Sequence, residues 1–200
     1  ALEEDPHEPP ARPFHVEALP EEAAREAVRL ARRLALPLEG YTADGGFFVE
    51  GDSPLLEAHQ RLLGVEAEGA DLLRLSSPLV RLQVLAEGEA PVERLLEALP
   101  RGLQAHVAES PKMPGVRFVS LTKEGVSKLS AARLVAEAYG LPLSECAMVG
   151  DGENDLELLR AVGVGIAMGN APPSVKRAAQ RVVAPVEACG LAEALRLLRG

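Results

Sequence analysis

The stretch Gly150-Asp151-Gly152-Glu153-Asn154-Asp155 constrains the fold of this chain more than any other. Three carboxylates, one amide and two glycines lie between an apolar run at 146–149 and a helical pattern at 156–162. A strand, an acidic Gly-rich turn and a helix together suit a hard cation beside a phosphate. Magnesium takes a few carboxylate oxygens, keeps some waters and accepts phosphate oxygens. The following helix offers free backbone N–H groups to an anion. Asp151 and Asp155 are four residues apart, close to one helical turn, so they can face one side. Asp151, at the strand tip, is the better direct ligand. Asp155 is a second ligand or acts through water, and Asn154 can bond a ligand or orient a neighbour. Asp and Asn also cap helices, so the turn alone fits a plain capped helix equally well.

The residues around this turn alternate between helix and strand. A helix is predicted over 128–139, ending at Gly140, then a strand at 146–149 and a second apolar strand at 162–168. A helix at 174–180, a strand at 181–184 and a helix at 191–198 complete the series. Strands alternating with helices predict a parallel α/β sheet, whose ligands sit at the carboxyl ends of its strands.

The preceding residues have a different character. Residues 1–13 hold four prolines and read as a linker or irregular arm. A short strand is expected at 14–19. Pro20 then opens a helix with its apolar stripe at Ala24, Ala27, Val28, Ala31 and Leu34. Asp44-Gly45 marks a hairpin between 38–42 and 46–50. Helices at 54–63 and 92–99 and strands at 79–86, 103–109 and 116–121 follow. From about 14 to 121 this predicts an α+β module with an antiparallel or mixed sheet and helices on one face.

Composition narrows the classes. At 47% apolar and 26% charged residues, the 200-residue chain is globular. Its net charge of −9 argues against nucleic-acid binding through an overall basic field. No apolar run reaches membrane-spanning length, so no membrane partner is expected. The two cysteines make no metal spacing, and a cytoplasmic location is the simplest reading.

Other candidates are weaker. Lys128 opens a helix one strand–helix unit before the acidic turn. A lone lysine is usually a solvated surface residue. Adjacent strand ends could instead bring it to the turn as a cation for phosphate. The run Gly163-Val164-Gly165-Ile166-Ala167-Met168-Gly169-Asn170 lacks the third glycine of a dinucleotide loop at Met168 and reads as a buried strand. Asn170, at that strand's end, could face the site, but a turn role is the simpler reading. His7, His15, His59 and His106 are scattered without metal spacing.

Three segments carry a family resemblance. They are Lys123-Glu124-Gly125-Val126-Ser127-Lys128, then Ala147-Met148-Val149-Gly150-Asp151-Gly152-Glu153-Asn154-Asp155-Leu156-Glu157-Leu158-Leu159, then Val164-Gly165-Ile166-Ala167-Met168-Gly169-Asn170-Ala171. In order and spacing they resemble the haloacid dehalogenase (HAD) superfamily, Cof-type branch. The resemblance implies a parallel Rossmann-like α/β core, incomplete here and formed by 122–200, with an inserted α+β cap at 14–121. It implies a magnesium-dependent phosphatase acting on a small phosphorylated metabolite, such as a sugar phosphate, through an aspartyl-phosphate. Lys128 resembles the lysine that steadies nucleophile and phosphate, and Asp151 the magnesium ligand. Asp155 resembles the second acid of that motif, and Asn154 the adjacent polar residue that organises the site.

The family's N-terminal Asp-x-Asp-Gly-Thr motif, which holds the nucleophile, is absent, as is its second-motif Ser or Thr. The chain is therefore expected to be part of a longer protein with the nucleophile upstream. The alternatives are a truncated, non-catalytic binding or regulatory relative and a phosphotransferase such as a mutase.

Overall fold

The computed structural model describes residues 15–199, so the arm expected at 1–13 lies outside the described residues. The chain divides between Glu124 and Gly125 into two compact units.

The first unit runs α1 (Glu21–Arg33), β1 (Leu38–Thr42), β2 (Phe47–Glu50), α2 (Pro54–Leu63), β3 (Glu68–Gly69), β4 (Leu79–Glu87), α3 (Ala90–Glu97), β5 (Leu103–Ser110) and β6 (Met113–Lys123). Its six-stranded sheet has the order β3-β2-β1-β4-β6-β5. Every pairing is antiparallel except β2 with β3. The expected stripe of α1 is buried at Ala24, Ala27, Val28 and Ala31. Helix α2 starts where Ser53 Oγ accepts the Leu55 N–H at 3.2 Å, with Pro54 in its first turn. It stops at Gly64, whose φ of 71° suits a residue without a Cβ.

Two expectations for this unit change. The strand expected at 14–19 is not formed by the described residues 15–19. Leu19 N–H does reach Leu79 O at 2.8 Å, but Pro20 follows and has no N–H to continue a ladder. Nor do the helices share one face. Along β4, Leu82, Val84 and Ala86 pack with α1 and α3, whereas the alternate residue Leu85 packs with Leu56 of α2. On that second face Gln83 and Leu85 are both buried, and α2 covers Leu85.

Beneath α2 lies a buried polar cluster. Glu39 is fully buried and accepts from Tyr41 Oη at 2.9 Å and Gln83 Nε2 at 3.2 Å, with His59 Nδ1 at 2.7 Å. Ser120 Oγ donates to Gln83 Oε1 at 3.0 Å. Residues of β1, α2, β4 and β6 are thereby tied together by groups that would be costly to leave unpaired.

The second unit runs α4 (Lys128–Ala138), β7 (Ala147–Gly150), α5 (Leu156–Ala161), β8 (Val164–Ala167), α6 (Pro173–Ala178), β9 (Arg181–Val182) and α7 (Gly190–Arg199). Its sheet is parallel in the order β7-β8-β9. Ala167 packs with Leu159 and Val175 from α5 and α6, and the alternate residue Ile166 packs with Ala194 of α7. Both sheet faces are therefore covered, as short strands of apolar residues require. Among the described residues, no helix is long and apolar enough to cross a membrane.

Candidate active site

The acidic turn leaves β7 at its carboxyl end. Asp151 and Gly152 form the turn, Glu153–Asp155 make one 3₁₀ turn, and α5 follows. Asp155 holds this turn together. Its Oδ2 accepts the N–H of Asp151 at 3.1 Å and of Gly152 at 3.0 Å. Gly150 permits the arrangement, since a Cβ there would lie 2.7 Å from Asp155 Cβ. The Asp155 side chain is 3% exposed. Burial is the largest single influence on its carboxyl and pushes the pKa up. The bonds from Lys128 and from the Gly152 and Asp151 backbone outweigh it, holding the pKa below the usual aspartate value.

Lys128 supplies the other half. Its Nζ lies 2.5 Å from Asp155 Oδ1. Lys128 is the first residue of α4, and Ser127 caps that helix. Ser127 Oγ accepts the Ser130 N–H at 3.1 Å, and Ser130 Oγ accepts the Ser127 N–H at 2.8 Å. A cation in a first helical turn opposes the helix dipole and costs about 0.3–1 kcal/mol. Helix stability therefore does not account for a lysine here, whereas the buried carboxylate does. With 49% of its side chain exposed, Lys128 keeps ammonium hydrogens that can reach an anion.

The remaining candidates sit on the rim. Asp151 and Asn154 are exposed. Asn154 Oδ1 folds back over Gly152, where an added Cβ would meet it at 2.4 Å. Asn170, read from the sequence as a turn residue, donates from Nδ2 to Asp151 Oδ2 at 3.1 Å. Ser174 Oγ donates to Glu153 Oε1 at 3.2 Å. The sequence places Asn170 at the strand end, where it could face the site, but gives no sign of the Ser174–Glu153 contact. The available signal was that β7 and β8 are adjacent and parallel, so whatever follows β8 lies beside the acidic turn.

The donor set suits magnesium in kind, being hard oxygens at a strand tip. It is incomplete in number. Among the described residues, no group of three His, Cys, Asp or Glu side chains could hold a metal ion. Of the two expected carboxylate ligands, Asp151 has its side chain exposed, whereas both Asp155 oxygens are engaged within the protein.

The sequence profile of the haloacid dehalogenase-like hydrolases matches residues 12–195, and the chain belongs to this family. It is 33% identical over 112 residues to a putative phosphatase of Haemophilus influenzae, covering 56% of this chain and 41% of that protein. It is 31% identical over 137 residues to an HMP-PP phosphatase of Cronobacter sakazakii, covering 66% and 48%. A HAD-superfamily phosphatase structure from Bacteroides thetaiotaomicron superposes with a TM-score of 0.75 at 27% identity, over 92% of this chain and 66% of that one. A HAD subclass IIB sugar phosphatase shares the fold, with a TM-score of 0.74 at 22% identity, over 91% and 68%. The chain thus spans less than half the length of the two curated relatives.

Proposed function

We propose that this chain carries the cap and the C-terminal part of the core of a magnesium-dependent phosphatase. The substrate is a small phosphorylated metabolite, such as a sugar phosphate. The named phosphatase relatives support the reaction class. The observation that carries the reading is the Lys128–Asp155 pair beside exposed Asp151 at the tip of β7.

In this reading the nucleophile is an aspartate other than Asp151 and Asp155. Its carboxylate attacks phosphorus, the ester P–O bond breaks, and the leaving oxygen takes a proton from a general acid or water to depart as the alcohol. Water then cleaves the aspartyl-phosphate to release inorganic phosphate. Bound magnesium would neutralise charge on the phosphate oxygens and help to align them. Asp151 would be its direct ligand from this chain. Asp155 has both oxygens engaged within the protein, so its contribution is to hold Lys128 and shape the turn, meeting a cation at most through water. Lys128 donates to the phosphate and steadies the nucleophile, and Asn154 offers a further donor. The first unit takes the role of the family's cap.

A second reading has one observation in its favour: the incomplete ligand set among the described residues. It makes the chain by itself a phosphate-binding protein without turnover. Release of phosphate from an aryl phosphate, with and without magnesium, separates the two readings when this chain is compared with one extended upstream. Magnesium-dependent release by the extended chain alone is expected. Inactivity of both would support the binding reading.

A further inference from the structure

We infer that the first unit holds a binding site for a small carboxylate with an apolar body the size of one ring, set between α1 and residues 72–79. A cavity of about 280 Å³ opens there. Its walls include Ala24 and Val28 of α1, Leu72, and Leu79 at the start of β4. Ala24, Val28 and Leu72 are buried and belong to the main core of the unit. Ala24, one helical turn before Val28, presents only a methyl group to the cavity. A Cβ on Gly40 of β1 would meet Leu72 at 2.9 Å and Leu79 at 3.0 Å, so both leucines lie against that strand. The site is complete within the first unit and does not depend on the reading of the acidic turn.

The polar groups on the wall decide the chemistry of the ligand. Arg25 lines the cavity and is half-buried, and its Nη1 donates to the Leu73 carbonyl oxygen at 3.1 Å. That bond orients the guanidinium and leaves further N–H donors for a ligand. Among the described residues, no carboxylate makes an ion pair with Arg25. A partly desolvated guanidinium at the edge of an apolar space suits a carboxylate, which it can meet with two parallel N–H groups. Glu21, one turn earlier on α1, and Ser76 are exposed at the rim. Water and salt screen the Glu21 charge there, and Ser76 offers a hydroxyl. An apolar cavity of roughly 150 Å³ holds one benzene. The larger space here, about 280 Å³, takes a ring with a short acidic arm. Apolar walls with a few placed polar groups are how small-molecule pockets are built.

The probe is phenylacetate, with phenethyl alcohol as its uncharged counterpart. Each is titrated into the full chain, labelled with carbon-13 in its leucine and valine methyl groups, and followed by NMR. Saturable shifts at Val28, Leu72 and Leu79 are expected with phenylacetate. Arg25→Gln keeps a donor for the Leu73 carbonyl and removes the charge. It should weaken phenylacetate about tenfold or more and leave phenethyl alcohol unchanged. Ala24→Leu fills the cavity and should abolish both titrations, with thermal melts showing that each variant is folded. Absent or unsaturable shifts at these methyl groups in the parent would overturn the site. A folded Ala24→Leu chain that binds the probes as the parent does would overturn its placement in this cavity. Phenylacetate bound by Arg25→Gln as tightly as by the parent would overturn the carboxylate assignment, whether or not Ala24→Leu folds.

Discussion

Lys128 and Asp155 are 27 residues apart in sequence and 2.5 Å apart in space. The contact divides the work of one buried carboxylate. Oδ1 holds the lysine at the start of α4, and Oδ2 holds the two backbone N–H groups that shape the acidic turn. A change at Asp155 therefore reaches Lys128 and the backbone of Asp151 together.

Asp155→Asn should cost about 1–3 kcal/mol in stability, since a neutral amide cannot satisfy the same donors. The effect depends on pH with a definite sign. The folded-state pKa of Asp155 is lowered, so its stabilisation is fully present above the unfolded value of about 4. It is lost as pH falls through the lower folded value. Urea unfolding at pH 7 should show the gap between parent and variant, and the gap should narrow as pH falls below the ordinary aspartate value. A gap that stays constant across that window would refute the assignment.

Gly150→Ala should disable the site without touching a titratable group. Its Cβ would meet Asp155 Cβ and Oδ2 at 2.7 Å and push the carboxylate off Lys128. Overpacking of this kind costs about 1–3 kcal/mol. In the extended, active form, turnover should fall at least as far as it does for Asp155→Asn. Unaltered turnover would show that the turn tolerates a different arrangement.

The buried cluster of the first unit makes a separate prediction. Glu39→Ala strands His59, Tyr41 and Gln83 without their shared acceptor. A loss of about 3–5 kcal/mol is expected in the unfolding of that unit. Gln83 and Tyr41 amide or hydroxyl groups that stay protected from solvent in the variant would argue against it.

Tyr41 gives the same cluster a spectroscopic handle. Burial first, and the neighbouring Glu39 second, push its hydroxyl up to about 12. A raised folded value favours the neutral phenol, so this stabilisation is present below the ordinary value near 10. It is lost as pH rises through 12. Of the two tyrosines, one should ionise only near pH 12 in an absorbance titration, and Tyr41→Phe should remove that step.

Much of this architecture is legible in the sequence, for identifiable reasons. The α1 stripe, the Pro54 start and the Gly64 stop of α2 are local signals, and the elements follow them. The turn, its strand and its helix are also local, which is why Asp151, Asn154 and Asp155 stand out as candidates. What escaped the sequence is non-local. The placement of α2 on the second sheet face depends on which side of β4 each apolar residue takes. Asn170 has the composition of a turn residue, and only the parallel register of β7 and β8 puts it against Asp151. The division of Asp155 between Lys128 and the backbone is a matter of side-chain direction, which spacing alone does not give.

The central claim is that the tip of β7 and the start of α4 form part of a metal-dependent phosphatase site. Its most direct test is the magnesium dependence of phosphate release by the chain extended upstream, measured for the parent and for Asp151→Ala. The account predicts saturable magnesium activation in the parent and its loss, by at least a hundredfold in kcat/KM, in the variant (about 2.7 kcal/mol of transition-state stabilisation). An Asp151→Ala variant activated by magnesium as the parent is would contradict it.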